Sequence, residues 1–297
     1  MLLSLVNNKT FTVSDLIKEA GDKLRKVGIE TFELDAKILL AHLLGLSRPE
    51  KLVFKLNSIV SQYSYDKFTS LLVRRLKFEP IAYIVGYKHF WKQIYKVDKN
   101  VLIPRPETEL IIEVILGKLQ NRKNEKLHIL DLGTGSGCII LSLLGELKNA
   151  FGVAVDVSDK ALNIAKINAN NLQLSQRLKF IKSNWFNALD EKESFDIIVA
   201  NPPYISKDEW QNLSANVKDF EPSIALTDGG DGLGGYRVIA QSAKKFLKKG
   251  AMIILEISYN QKNLVENTFE NQGYKVGFYK DLQGIYRVAS ISCSVGH

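Results

Sequence analysis

Along the first quarter of the chain, apolar residues recur at helical spacing. Leu16, Ile17, Ala20, Leu24 and Val27 follow one another at three- and four-residue steps, as do Leu34, Ile38, Leu39 and Leu43; each set lines one face of a helix. A third helix runs from Tyr65 through Phe68, Leu71, Leu72 and Leu76 and ends before Pro80, because the residue preceding a proline is pushed out of helical geometry. His42 falls on the apolar side of the second helix and reads as a packed side chain. This pattern predicts a small helical domain over residues 1–80, without catalytic chemistry and suited to gripping a partner.

Between Ile81 and Ile103 the period changes. Tyr87 to Trp91 and Ile94 to Val97 are short aromatic segments separated by Lys92 and Gln93, the pattern of a β-hairpin. Residues 81–105 are therefore expected to link two domains. Beyond residue 106 apolar runs of strand length alternate with helical stretches. Strands are expected at Leu127–Leu132, Phe151–Val155, Leu178–Ile181, Phe195–Ala200 and Met252–Ile257, and helices at Cys138–Leu147, Asp159–Asn171, Tyr236–Leu247 and Asn263–Gln272. Segments near Tyr274–Tyr279 and Tyr286–Ile291 read as a closing antiparallel pair. Such alternation predicts an α/β domain over residues 106–297, with a largely parallel sheet covered on both faces.

Two interruptions of this alternation carry candidate chemistry. The strand ending in Asp131 and Leu132 is followed by Gly133, Thr134, Gly135, Ser136 and Gly137, the strand, glycine-rich turn and helix start of a nucleotide-binding unit. A dinucleotide fingerprint would place its third glycine at position 138, which is Cys138. The next strand ends in Asp156, whose carboxylate can accept two ribose hydroxyls, and Ser158 can cap the helix after it. The third strand leads into Ser183, Asn184, Trp185 and Phe186, where an aromatic ring can pack on adenine.

The second interruption is Asn201-Pro202-Pro203-Tyr204, closing the run Phe195–Ala200. Two prolines continue neither a ladder nor a helix, so the chain turns a rigid corner at the carboxyl end of a strand, where open α/β sheets bind ligands. Asn201 offers an amide oxygen there and Pro202 a carbonyl, two acceptors for one planar NH2. An ordinary strand-ending turn uses the same residue types. Pro104 to Glu109 suits a helix start, with proline in the first turn and acidic residues at the positive end of the dipole, and also stiffens a loop that can line a site.

The chain has 297 residues, 45% of them hydrophobic, and a net charge of +8. That length fits two domains. The charge permits a nucleic-acid or ribosomal partner, but the lysines are scattered and form no basic block interleaved with aromatics, so no stable nucleic-acid binding is expected. Two cysteines, Cys138 and Cys293, make neither a disulfide framework nor a Cys-rich metal site, and no metal is expected. Met1 to Val6 is too short for a signal sequence and no apolar run approaches a membrane span. A cytoplasmic protein without membrane attachment is expected.

Taken together, Glu79 to Gly86, Val101 to Glu109, Asp131 to Gly137, Asp156, Asn201 to Tyr204, Asp231 to Leu233 and Tyr236-Arg237 resemble the peptide chain release factor glutamine N5-methyltransferase family along nearly the whole chain. The resemblance implies a class I S-adenosylmethionine-dependent methyltransferase, a Rossmann-like seven-stranded sheet with a small N-terminal helical domain. It further implies methylation of the glutamine of a Gly-Gly-Gln tripeptide in release factors, which would be the protein partners. By carry-over, Gly133, Thr134, Gly135, Ser136 and Gly137 would contact S-adenosylmethionine, Asp156 its ribose and Trp185 its adenine region. Asn201, Pro202, Pro203 and Tyr204 would hold the substrate glutamine, with Asn201 also beside the cofactor and Tyr204 packed on the glutamine amide. Asn184 stands where aspartate is commoner in such proteins; its amide oxygen still accepts a hydrogen bond, without the charge. Ribosomal-protein glutamine methyltransferases and DNA adenine methyltransferases share the corner and are the alternative readings. A non-catalytic scaffold has no use for paired acceptors beside a cofactor loop.

Overall fold

The computed structural model describes residues 10–46 and 48–293; the expectation for Met1 to Val6 concerns residues outside that range. The chain divides into two compact units, residues 1–86 and 87–297.

In the first unit, β1 (Phe11–Thr12) leads into α1 (Val13–Lys26), followed by α2 (Phe32–Leu43), β2 (Ile59–Val60), α3 (Gln62–Leu76) and α4 (Ile81–Val85). Thr12 and Asp15 form a reciprocal capping box at the start of α1, satisfying two backbone N–H groups that a helix start leaves unpaired. Leu16, Ala20 and Leu24 of α1 are buried, as are Leu39, Leu40, Phe68 and Leu72 of the other two long helices, so the spacing in the sequence does become a core. At about 1.5–3 kcal/mol for each large side chain buried, this stripe is the main support of a small unit. A buried ion pair joins its helices: Arg75 Nε donates to Asp35 Oδ2 at 2.6 Å. The expected linker, 81–105, is divided between the units. Ile81–Val85 is a helical turn ended by Gly86 in the left-handed conformation (φ 82°).

The second unit begins with the hairpin β3 (Tyr87–Phe90) and β4 (Gln93–Lys96), paired antiparallel. This hairpin is part of the core rather than a tether. Phe90 and Tyr95 are fully buried in it, Tyr95 Oη lies 2.8 Å from Ser142 Oγ, and the Lys96 amide donates to Asn168 Oδ1 at 2.7 Å. Then come α5 (Glu109–Lys118), β5 (His128–Leu132), α6 (Cys138–Glu146), β6 (Phe151–Asp156), α7 (Asp159–Asn171), β7 (Leu178–Lys182) and β8 (Phe195–Ala200). After β8 follow α8 (Lys207–Gln211), α9 (Ala215–Lys218), α10 (Gly234–Ser242), β9 (Leu247–Glu256), α11 (Lys262–Glu270), β10 (Tyr274–Lys280) and β11 (Tyr286–Cys293).

Seven strands form one sheet in the order β10-β11-β9-β8-β5-β6-β7. β9, β8, β5, β6 and β7 pair in parallel, while β11 pairs antiparallel with both β9 and β10. Alternate residues of each strand feed two cores. Ile129, Ile197 and Val199 join α5 and α6 on one face; Leu130, Leu132, Ile198 and Ala200 join α10 and α11 on the other. Both faces are covered, hence the uninterrupted apolar runs. The chain leaves β5 toward β6 and β7, then returns to β8 on the other side of β5. That reversal is a topological switch point, and a crevice opens beyond the carboxyl ends of β5 and β8. Among the described residues no helix is long and apolar enough to cross a membrane.

Candidate active site

The loop leaving β5 is shaped by its glycines. Gly133 and Gly135 have φ of 73° and 54°, a region that L side chains rarely adopt, and a Cβ on either would meet nothing within 4 Å. The backbone here is therefore open to close approach by a ligand. Gly137, with φ 80°, is constrained differently: its Cβ would lie 3.0 Å from Leu141 Cδ1 and 3.3 Å from Ala165 Cβ. Gly133, Thr134, Gly135 and Ser136 line a cavity of about 520 Å³, whereas Gly137 is not among its lining residues. Its missing side chain lets α6 and α7 approach each other.

Asp156, at the end of β6, lines the same cavity. Its Oδ2 accepts from the Gly135 amide at 2.9 Å and its Oδ1 from the Ser158 amide at 2.9 Å. Burial pushes this carboxyl above its ordinary range, against the pull of those amides. Asp131 lies deeper, fully buried. Thr134 Oγ1 donates to its Oδ2 at 2.7 Å, while among the described residues Asp131 Oδ1 and Ser136 Oγ have no hydrogen-bond partner. Desolvation raises the Asp131 carboxyl to about 7.

Trp185 lines the cavity in a left-handed backbone conformation (φ 54°), an uncommon state for a bulky residue that marks a functional constraint. Its neighbour Asn184 also lines the cavity. Behind the tryptophan stands Gly235 of α10, where a Cβ would come within 2.9 Å of both the indole and Pro202 Cβ. Gly235 was not singled out by sequence reasoning; only the fold reveals that the Trp185 ring, the Pro202 ring and the start of α10 meet there.

Asn201, Pro202 and Pro203 line the same cavity, following Ala200, which pairs with Leu132 at the carboxyl end of β5. Asn201 Nδ2 donates to Thr108 Oγ1 at 3.3 Å, and Thr108 Oγ1 donates to Glu256 Oε2 at 2.5 Å. Among the described residues no donor takes up Asn201 Oδ1 or the Pro202 carbonyl, so both expected acceptors remain available. Tyr204 behaves differently from expectation. It is not among the lining residues; its hydroxyl reaches Glu256 Oε1 at 3.4 Å and its carbonyl accepts from Gln261 Nε2 at 2.9 Å. A half-buried phenol seeks a polar partner, and here that partner lies behind the corner.

The remaining walls come from the Pro104–Glu109 segment and from the connection that follows β8. Arg105 lines the cavity and is ion-paired with the buried Glu221, whose other oxygen accepts from the Ile103 amide at 3.1 Å. This ties the Pro104–Glu109 segment to the connection after β8. Asp228 holds that connection together by accepting from the amides of Gly230, Gly232 and Gly234.

Residues 15–86 match the family described as PrmC N-terminal domain, and residues 123–289 match the family described as Methyltransferase domain. The Release factor glutamine methyltransferase of Rhodopirellula baltica is 39% identical over 294 residues, covering 96% of this chain and 97% of that protein. The Bifunctional methyltransferase of Rickettsia prowazekii is 42% identical over 300 residues, covering 95% of this chain. The chain spans 57% of the length of that curated relative. Among solved structures, the methyltransferase from Pyrococcus furiosus shares the fold with a TM-score of 0.51 at 17% identity, covering 75% of this chain and 97% of that one.

Proposed function

Because this chain belongs to the release factor glutamine methyltransferase family, we propose that it transfers a methyl group from S-adenosylmethionine to a glutamine side-chain nitrogen, in the Gly-Gly-Gln tripeptide of peptide chain release factors. Its second unit has the class I, Rossmann-like methyltransferase fold. The observation that carries the reading is the pair of acceptors, Asn201 Oδ1 and the Pro202 carbonyl, in one cavity with the open glycine loop.

The residues present fit the cofactor. A cavity of about 520 Å³ is within the usual range for a small-molecule site. Gly133 and Gly135 leave their backbone uncovered, and the orphaned Ser136 Oγ of a lining residue awaits a polar group. In this reading Gly133, Thr134, Gly135 and Ser136 hold the amino-acid end, Asp156 the ribose, and Trp185 with Asn184 the adenine. Bound there, S-adenosylmethionine supplies an electrophilic methyl group on a sulfonium.

A carboxamide nitrogen is a poor nucleophile because its lone pair is shared with the carbonyl. As that nitrogen forms a bond to carbon, positive charge develops on it and its N–H groups become stronger donors, until one of its protons leaves to water and restores a neutral amide. While the charge is present, Asn201 Oδ1 and the Pro202 carbonyl bind it more tightly than in the ground state, which lowers the barrier. The two prolines keep those acceptors from relaxing away. Tyr204 contributes by anchoring the corner through Glu256 and Gln261 rather than by covering the substrate.

The helical unit carries no site chemistry but exposes Phe54 (87%), Ile59 (71%) and Tyr63 (68%); in this reading it grips the release factor, and the reaction takes place in the cytoplasm. A direct competition tests the assignment: release factor, its Gln→Ala variant and adenine-containing duplex DNA are offered with labelled methyl donor. Label is expected only on the unaltered release factor. Label on DNA, or equally on both proteins, would overturn it.

A further inference from the structure

Asn and Thr side chains that meet across a site present a choice of amide orientation. The Thr108 hydroxyl carries one hydrogen and two lone pairs. With an ionised Glu256 at 2.5 Å, a pure acceptor, that hydrogen is committed to the carboxylate. Thr108 can then only accept from Asn201, so the NH2 end of the Asn201 amide must face it, at 3.3 Å, and Oδ1 is left for another donor. We infer that Glu256, acting through Thr108, is the positioning residue that sets the amide of Asn201 with its oxygen toward the substrate.

A protonated Glu256 reverses the polarity. Its hydroxyl then donates to Thr108, the Thr108 hydrogen turns toward Asn201, and the flipped amide, presenting NH2 to the substrate, is favoured. Two N–H donors facing the NH2 of a glutamine repel it. Glu256 is 2% exposed, and desolvation pushes its carboxyl up to about 7. The groups facing it are Thr108 and Glu107 from the turn before α5, Cys138 at the start of α6, Tyr204 from the corner, Tyr236 of α10 and Arg287 of β11. Burial raises Tyr204 and Tyr236, and carries Cys138 up to about 12, so all three stay neutral while Glu256 titrates. Tyr236 Oη donates to the Glu256 backbone carbonyl at 2.9 Å, which leaves the carboxylate oxygens to Thr108 and Tyr204. Among the described residues the buried carboxylate thus has two hydroxyl donors and no side-chain N–H partner, an arrangement costly to bury.

The consequence for turnover rests on the methyl-transfer reading above; the amide orientation does not, so two readouts separate them. The first is the side-chain NH2 resonance of Asn201, identified by its loss in Asn201→Ala and followed by NMR over pH 5.5–8.5. In the unaltered protein it is expected to shift with a midpoint near 7, and in Glu256→Gln to stay without that transition. The second is kinetics on release factor at saturating cofactor. Thr108→Val should lower kcat roughly tenfold or more, as expected for a misplaced transition-state group, with the cofactor dissociation constant changed less than about twofold; Thr108→Ser should restore most of the rate. An Asn201 resonance that titrates unchanged in Glu256→Gln assigns the transition elsewhere, to Asp131, and overturns the inference. So does Thr108→Val with unaltered kcat. An unaltered enzyme that leaves release factor unmethylated defeats the functional reading, and the NMR titration still decides the relay.

Discussion

Gly235 leaves no room for a methyl group behind Trp185: a Cβ placed there lies 2.9 Å from the ring atoms Cη2 and Cζ2, and equally close to Pro202 Cβ. One glycine on α10 therefore sets both the plane expected to face adenine and the ring that stiffens the acceptor corner. Gly235→Ala must push one of them aside. Overpacking of this kind costs about 1–3 kcal/mol. Both cofactor affinity and kcat are expected to fall, each by about tenfold, with the fold retained. Calorimetry and steady-state kinetics on the same preparation check this; a variant indistinguishable from the parent in both would show that the indole and the corner yield freely.

Asn201→Ala removes one acceptor from the corner and leaves the glycine loop untouched. Loss of a single preorganised transition-state hydrogen bond lowers rates by about 10²–10³-fold. Turnover is expected to drop by that factor while S-adenosylmethionine binding stays nearly unchanged. Near-normal turnover at saturating substrate would remove the paired-acceptor mechanism.

Asp156→Ala acts on the other ligand. The carboxylate already accepts from the Gly135 and Ser158 amides, so its removal loosens the glycine loop as well as deleting a contact to the ribose. Hydrogen bonds to a charged group contribute about 1.5–3 kcal/mol, so the cofactor dissociation constant should rise by about one to two orders of magnitude. Unchanged calorimetric affinity would take Asp156 out of the site.

Asp131 makes stability depend on pH. Its carboxyl is raised from 3.8 to about 7 in the fold by desolvation, so the folded state keeps the proton that the unfolded state has already lost. Its favourable contribution is complete below about pH 4, declines as pH rises, and is gone above about pH 7, changing by about 1.4 kcal/mol per pH unit in between. Asp131→Asn has no such titration. In urea unfolding without cofactor, the variant is expected to gain on the parent steadily from pH 5 to pH 7 and to gain no more from pH 7 to pH 8. A difference that is constant across that range would contradict the burial of an ionisable group there.

The helices of the first unit and the alternating strands and helices of the second were legible from residue spacing, because local periodicity reports which side of an element meets apolar neighbours. The turns and strand ends that bring the glycine loop, Asp156 and the Asn201–Pro203 corner to one cavity were legible too. Left-handed turns, a strand-end carboxylate and a proline corner each demand particular residue types within a few positions, so their chemistry is written locally.

What the sequence by itself determined was therefore the kind of fold and part of the lining of the cavity at its strand ends. Tertiary structure alone decided which distant groups meet there. Thr108 meets Glu256 across 148 positions and Asn201 across 93, and Gly235 meets Trp185 only because α10 starts beside the corner. It also decided that Phe90 and Tyr95 of the hairpin complete the second unit's core, that Gly137 is a packing residue, and that Tyr204 turns to a buried carboxylate. Spacing along a chain encodes which face of one element is apolar. Which polar groups from distant elements must satisfy one another is settled only when the sheet assembles and burial leaves each of them without water.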